Sequence, residues 1–139
     1  MQPVLAQGEQ GASMKRPIEA KAYITCGFTG AHAGIDYGTA YKPGMEVYAV
    51  EDGRVIVSQE QTQGYGRHIR ILHEKAVSIY AHLSARMVQV GDVVKAGDLI
   101  GLSGGCPGDP CAGNSSGCHL HFEWQKLVAV DPLPLMEDK

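Results

Sequence analysis

The sequence contains no apolar run near the ~20 residues that a membrane-spanning helix requires. Its formal net charge is only −3 over 139 residues, so charge gives no reason to expect binding to nucleic acid or to an anionic membrane. The opening MQPVLAQGEQGASMKRP lacks the basic start and the sustained apolar stretch of a signal peptide. We therefore expect no membrane span and no nucleic-acid partner.

Helical periodicity is also missing, because no long segment repeats its apolar residues every ~3.6 positions. The 18 glycines instead divide the chain into short runs with strand character. We predict an all-β domain, an antiparallel barrel or sandwich, over residues 18–130, after a flexible arm at 1–17 and before a tail at 131–139. A hairpin is expected at RILHEKAVSIYAHL. The predicted strand runs are AKAYITC, EVYAVEDGRVIVSQ, RHIRILH, AVSIYAHL, DLIGLS and HLHFEWQ.

Two histidines lie two positions apart in GCHLHFEW, near the end of the domain. Alternate side chains of a strand point to one face, so His119, His121 and Glu123 should lie together on a polar face. This pattern suits a metal-binding or catalytic pair, although two surface histidines would produce it as well. The opposite, apolar face, which we expect in the core, consists of Leu120, Phe122 and Trp124.

A second candidate is HAGID, which contains His32 and Asp36. On a straight strand these residues would be about 13 Å apart, whereas ligands of one zinc ion lie within roughly 4 Å of each other. They can share a metal only if the backbone bends, and Gly34 at the midpoint favours such a bend. A solvated loop with incidental polar residues is the alternative.

The third candidate is SIYAHLS, where alternation predicts that Ser78, Tyr80 and His82 share one polar strand face. The other two histidines, His68 and His73, are weaker candidates, and His73 is the better one for supporting a site residue.

Four cysteines allow three disulfide pairings. The short CPGDPC loop favours Cys106–Cys111, which leaves Cys26–Cys118, and free thiols are the alternative. A zinc site made of the four cysteines is disfavoured, since the chain has no second closely spaced pair.

The order of HAGIDYG, GYGRHIRILH, YAHLS, VGDVVKAGDLIG and HLHFEW closely resembles the lysostaphin/LytM-like zinc endopeptidases, over roughly residues 20–125. The resemblance implies a barrel-sandwich hybrid fold of the duplicated hybrid motif type, with long loops around a metal cleft. It also implies an enzyme of the bacterial cell wall, in the periplasm or outside the cell, that cuts glycyl–glycine bridges or D-alanyl cross-links in peptidoglycan. We expect a monomer, either a phage lysin or a bacterial wall-remodelling enzyme.

By the same resemblance, one Zn²⁺ is bound by His32, Asp36 and His121, and the two unliganded active-site histidines are His82 and His119. Two imidazoles and one carboxylate leave the fourth position of zinc open, as catalytic sites require. The implied reaction is peptide hydrolysis by zinc-activated water, with the two unliganded histidines moving protons or stabilising the oxyanion. Tyr80 and Glu123 are supporting candidates.

The loop before HLHFEW is longer than the family usually has, and Cys118 precedes the first histidine where the family often has proline. Three other functions are alternatives to the endopeptidase. They are a catalytically silent wall-binding or amidase-activating module of the same fold, a VanX- or hedgehog-type peptidase, and a biotinyl- or lipoyl-like carrier.

Overall fold

The computed structural model describes residues 14–137. This part of the chain forms ten β-strands and one 3₁₀ turn, Leu133–Leu135. It has no α-helix, and none of its helical segments is long and apolar enough to cross a membrane. The predicted all-β class is confirmed. The strands are β1 Tyr23–Cys26, β2 Ile35–Gly38, β3 Glu46–Tyr48, β4 Gly53–Gln59, β5 His68–Leu72, β6 Ala76–Ala81, β7 Leu83–Arg86, β8 Val93–Val94, β9 Leu99–Ser103 and β10 His119–Lys126.

The strands form two antiparallel sheets. Seven strands are ordered β1-β2-β10-β6-β5-β4-β8, and three are ordered β3-β9-β7. Strands β5 and β6 pair directly, as the predicted hairpin requires. One apolar cluster joins the two sheets, with Ile69 and Leu120 from the larger sheet and Val47 and Ile100 from the smaller. The site described below lies on the larger sheet, where β2 and β10 pair.

Strand β10 alternates as its sequence predicts. Leu120 and Phe122 belong to the core cluster, and Trp124 packs against it. His119 and His121 are partly exposed on the other face, and Glu123 on that face is buried. Apolar packing on one side of the strand therefore fixes the direction in which the two imidazoles point.

The prediction that Tyr80 lies on a polar face of β6 is wrong. Tyr80 is fully buried in the core, where its ring lies 5.4 Å from that of Phe122, its register partner on β10. The Tyr80 hydroxyl accepts hydrogen bonds from the Val50 amide and from Ser78, so a polar group is satisfied inside the core. Tyr80 therefore stabilises the fold, and its side chain belongs to the core and not to the site.

The position of the His82 side chain at the site does not result from strand alternation. It lies between β6 and β7 with φ of 62°, a left-handed backbone that ends the strand alternation. Its amide donates to the Tyr65 carbonyl at 2.9 Å, which holds this conformation. The side chain thus leaves the core face that Tyr80 occupies.

The predicted disulfide pairing is also wrong, because the bridge joins Cys106 to Cys118, whereas Cys26 and Cys111 are unpaired. The His119 amide donates to the Gly104 carbonyl at 3.0 Å, so the two ends of the intervening loop lie side by side. This contact brings the Cα atoms of Cys106 and Cys118 within 4.2 Å.

The ends of the domain are described only in part. Residues 1–13 of the predicted arm and residues 138–139 of the predicted tail lie outside the described residues. Within the described part, the Lys15 amide donates to the Val50 carbonyl, and the Tyr48 amide donates to the Pro17 carbonyl. Residues 131–137 are exposed.

Candidate active site

Asp36 on β2 is the centre of the histidine cluster. Its Oδ1 lies 2.8 Å from His121 Nδ1, its Oδ2 lies 3.3 Å from His32 Nε2, and His119 Nε2 lies 3.7 Å from Oδ1. The pairing of β2 with β10 places His121 directly opposite Asp36, which explains why residues so distant in sequence meet. The structure thus brings the three predicted metal ligands together at one carboxylate.

The backbone bends at residues 33 and 34, as predicted, and Gly34 also allows the close approach of β10. A Cβ atom added at Gly34 would overlap the Phe122 carbonyl oxygen and lie 2.9 Å from His121 Cε1. The glycine therefore makes room for β10, and only a residue without a side chain fits there.

Hydrogen bonds fix which nitrogen of each predicted ligand histidine is available to a metal. His32 Nδ1 donates to the Gly27 carbonyl at 3.0 Å, which leaves the Nε2 lone pair facing Asp36. His121 has the opposite arrangement, because its Nε2 contacts Glu123 Oε2 at 2.8 Å and its Nδ1 faces Asp36. A carboxylate on the outer nitrogen of a histidine is the usual way to orient a metal ligand.

Glu123 is held as a carboxylate. Burial raises its pKa, but hydrogen bonds from His121, Gln125 and Tyr65 outweigh burial, so the pKa lies below its usual value. The Tyr65 hydroxyl donates to Glu123 Oε2 at 2.9 Å. Glu123 therefore supports His121, as expected for a residue beside the ligand.

His82 and His119 form a second pair, with ring centres 5.0 Å apart. His82 Nδ1 donates to the Ala112 carbonyl, and His119 Nδ1 donates to the Gly117 carbonyl, both at 2.7 Å. Each proton is thereby placed on Nδ1, and the lone pair of each Nε2 is available for chemistry. Burial lowers the pKa of His82 to about 4, and the neighbouring rings of His119 and His121 act in the same direction. His82 is consequently neutral at pH 7 and able to accept a proton.

Sequence reasoning missed the groups that hold these histidines. The carbonyls of Ala112 and Gly117 belong to the Gly- and Pro-rich loop before β10, and backbone groups in loops leave no residue-type signal. Tyr65 was also missed, although its segment GYG contributed to the resemblance. Its ring lies 6.1 Å from that of His121, and the Arg70 guanidinium stacks over it at 5.2 Å.

Two surface cavities border the cluster. One includes Tyr65, His82, Asn114 and His121 in its wall. The other lies at the β1–β2 side and has Asp36, His119 and the disulfide-bonded Cys118 in its wall. An extended peptide passing across the histidines would have room on both sides.

The donor set suits zinc. Two imidazole nitrogens and one carboxylate oxygen, from His32, His121 and Asp36, are ligands typical of a catalytic zinc site. The donor atoms of Cys26, His32 and Asp36 all lie within 4.8 Å of one another. His121 is not part of that group, but its Nδ1 lies 2.8 Å from Asp36 Oδ1 and its ring centre is 5.2 Å from that of His32.

The other two histidines have structural contacts. His73 contacts the Asp52 carbonyl and Ser78, and its ring stacks on Trp124 with a centre distance of 5.1 Å. His68 is buried and donates from Nδ1 to the Gly66 carbonyl. These contacts tie loops to the core.

Comparison with known proteins shows the family of this chain. Residues 30–132 match the model of peptidase family M23. Lysostaphin of Staphylococcus staphylolyticus is 33% identical over 117 residues, which cover 78% of this chain and 23% of that protein. The peptidoglycan DD-endopeptidase ShyC of Vibrio cholerae is 35% identical over 95 residues, which cover 68% of this chain and 20% of that protein.

A solved structure shares the fold. The crystal structure of a zinc containing peptidase from Vibrio cholerae matches with a TM-score of 0.68 and 31% identity, over 79% of this chain and 35% of that one. The chain spans less than a third of the length of these two curated relatives. Because the family model covers most of the chain, and because lysostaphin is among its relatives as the motifs predicted, the chain belongs to peptidase family M23.

Proposed function

We propose that this domain is a zinc-dependent endopeptidase that hydrolyses peptide bonds in bacterial peptidoglycan. The observation that carries the proposal is the convergence of His32 and His121 on Asp36, with the lone pairs of His82 and His119 available beside them. Three ligands and two further bases would make a hydrolytic centre, and hydrogen bonds orient all four of its histidines.

In this proposal, His32 Nε2, His121 Nδ1 and a carboxylate oxygen of Asp36 would hold the metal. A zinc ion bound there would supply Lewis-acid chemistry, because zinc polarises a peptide carbonyl and lowers the pKa of water towards neutral pH. Glu123 keeps His121 oriented through its bond to Nε2.

His82 and His119 move protons at their Nε2 atoms. A neutral imidazole next to the scissile bond accepts a proton from the attacking water and returns a proton to the leaving amine. As an imidazolium, the same group stabilises the oxyanion that develops on the carbonyl. The Ala112 and Gly117 carbonyls hold both rings in place throughout, so little reorganisation is needed.

The substrate is a peptide of the bacterial wall. Relatives named lysostaphin and peptidoglycan DD-endopeptidase support this assignment. The two cavities beside the cluster provide space for an extended peptide on either side of the scissile bond. We propose that the domain acts as a monomer at the cell wall, in the periplasm or outside the cell.

The test is digestion of purified sacculi by the zinc-loaded protein. Sacculi with glycine bridges and sacculi with direct D-alanyl cross-links are incubated separately, and the released fragments are identified by mass spectrometry. We expect new amino termini from one of the two chemotypes. The His121→Ala variant, which loses a ligand, should release none.

Two outcomes would overturn the proposal. One is a folded, zinc-loaded protein that produces no new amino termini from either wall. The other is a folded protein that binds sacculi but takes up no zinc by elemental analysis, as the silent wall-binding module would.

A further inference from the structure

Cys26 lies at the metal site although no ligand motif includes it. In the pairing of β1 with β2, Cys26 is opposite Asp36. Its sulfur lies within 4.8 Å of the donor atoms of both His32 and Asp36. The side chain is exposed and unpaired, and its hydrogen bond to the Gly27 carbonyl is long, 3.8 Å.

A β-bulge produces this position. Tyr23 and Ile24 pair in regular register with β2, which would place Thr25 opposite Asp36. The register shifts between Ile24 and Cys26, so the chain places the cysteine there instead. Bulges beside active sites commonly serve to re-aim one side chain.

We propose that Cys26 is a fourth zinc donor in the resting site, together with His32, Asp36 and His121. Thiolate is a preferred zinc ligand, and four protein donors complete a tetrahedron. A site with four protein donors is closed, so the sulfur must leave before water can be activated. The inference rests on the proposed function, because it uses the same metal site.

The experiment replaces zinc by cobalt, whose spectrum reports its ligands. The metal-free protein, its Cys26→Ser variant and its Cys111→Ser variant are titrated with Co²⁺ without substrate. We expect thiolate-to-cobalt charge-transfer absorption in the wild type and in Cys111→Ser, and its loss in Cys26→Ser with the visible d–d bands kept. The matched control also removes one unpaired cysteine, but one that lies in the loop before β10.

Alkylation gives a second measurement. Iodoacetamide treatment followed by peptide mapping compares the reactivity of Cys26 with and without Zn²⁺. We expect zinc to slow Cys26 alkylation by at least ~10-fold and to leave Cys111 alkylation unchanged, because a metal-bound sulfur is no longer a free nucleophile.

The outcomes separate this inference from the proposed function. Visible cobalt bands without any Cys26-dependent charge-transfer absorption would overturn the fourth donor and leave the peptidase proposal standing. A folded protein that takes up neither cobalt nor zinc would overturn both.

Discussion

His82 combines a catalytic assignment with an unusual backbone. Its φ of 62° is strained for most side chains but is tolerated by asparagine. The substitution His82→Asn therefore removes the imidazole without adding a backbone penalty. We expect the rate of sacculus cleavage to fall by ~10²–10⁴-fold, the range for loss of a general acid or base.

The control for His82→Asn is zinc content and melting temperature, which should match the wild type. A variant that retains zinc and cleaves at the wild-type rate would remove His82 from the mechanism.

His82 also makes stability depend on pH. Its pKa is about 4 in the folded metal-free protein, against about 6.5 for an ordinary histidine, so the unfolded chain binds the proton more readily. The contribution of His82 to the free energy of unfolding is fully present above pH 6.5. It is lost as the pH falls towards 4, by up to about 1.4 kcal/mol per pH unit.

Urea unfolding of metal-free protein at several pH values measures this dependence. The His82→Asn variant should lose less stability than the wild type between pH 6.5 and 4. If the free energy of unfolding fell equally with pH in the two proteins, the low pKa of His82 would be contradicted.

Residues of the candidate site could be predicted from the sequence where their spacing decides how the side chains are placed. His119 and His121 follow from strand alternation, and His32 and Asp36 from a motif and its resemblance. His82 was named from the same resemblance, but its predicted strand face was wrong, because a single left-handed residue cancels alternation. The position of Cys26 depends on a β-bulge, which no local sequence pattern in β1 predicts.

At the level of elements, the loop closed by the Cys106–Cys118 bridge supplies both carbonyls that orient His82 and His119. Replacing both bridge cysteines by serine should lower the free energy of unfolding by about 3 kcal/mol, from the chain entropy of a loop this long. It should also slow cleavage by ~10-fold or more, because small displacements of catalytic groups are costly.

Zinc content should survive in that double variant, since no metal ligand lies in the loop. Cys111→Ser is the control, as Cys111 lies in the same loop but outside the bridge. Equal turnover in the double variant and the control would show that the loop holds its shape without the disulfide.

The contact between β10 and the segment before β2 depends on Gly34. In Gly34→Ala, the new methyl group meets the Phe122 carbonyl and His121 Cε1, so the two strands must separate. We expect zinc affinity, measured by competition with a chelating dye, to fall at least ~10-fold, as it does when ligand support is lost. Gly30→Ala is the matched control, since a Cβ there meets nothing within 4 Å. An unchanged affinity in Gly34→Ala would contradict this account.

Strands could be predicted from the sequence where the apolar pattern is strong, as in β5, β6, β9 and β10. Strand β2 was not predicted, because it has only four residues and is defined by its pairing with β1 and β10 on either side. The run predicted over residues 46–59 is two strands in different sheets, separated at 49–52. Pairing partners decide such cases, and they are remote in sequence.

For the whole domain, metal binding should contribute to stability. A ligand that binds only the folded state, at 100 times its dissociation constant, stabilises it by about 2.7 kcal/mol. Calorimetry should therefore show a melting temperature several degrees higher with zinc than after chelation. The His121→Ala variant should show a much smaller shift, and an identical shift would place the stabilising metal elsewhere.

The pairing of β2 with β10 joins an early part of the chain to a late one, since His121 and Asp36 are 85 positions apart. During synthesis, the ribosome must release β10 before a second imidazole can reach the aspartate. A truncated product that stops before residue 119 therefore lacks both His119 and His121, so the histidine cluster is complete only after β10 has been made.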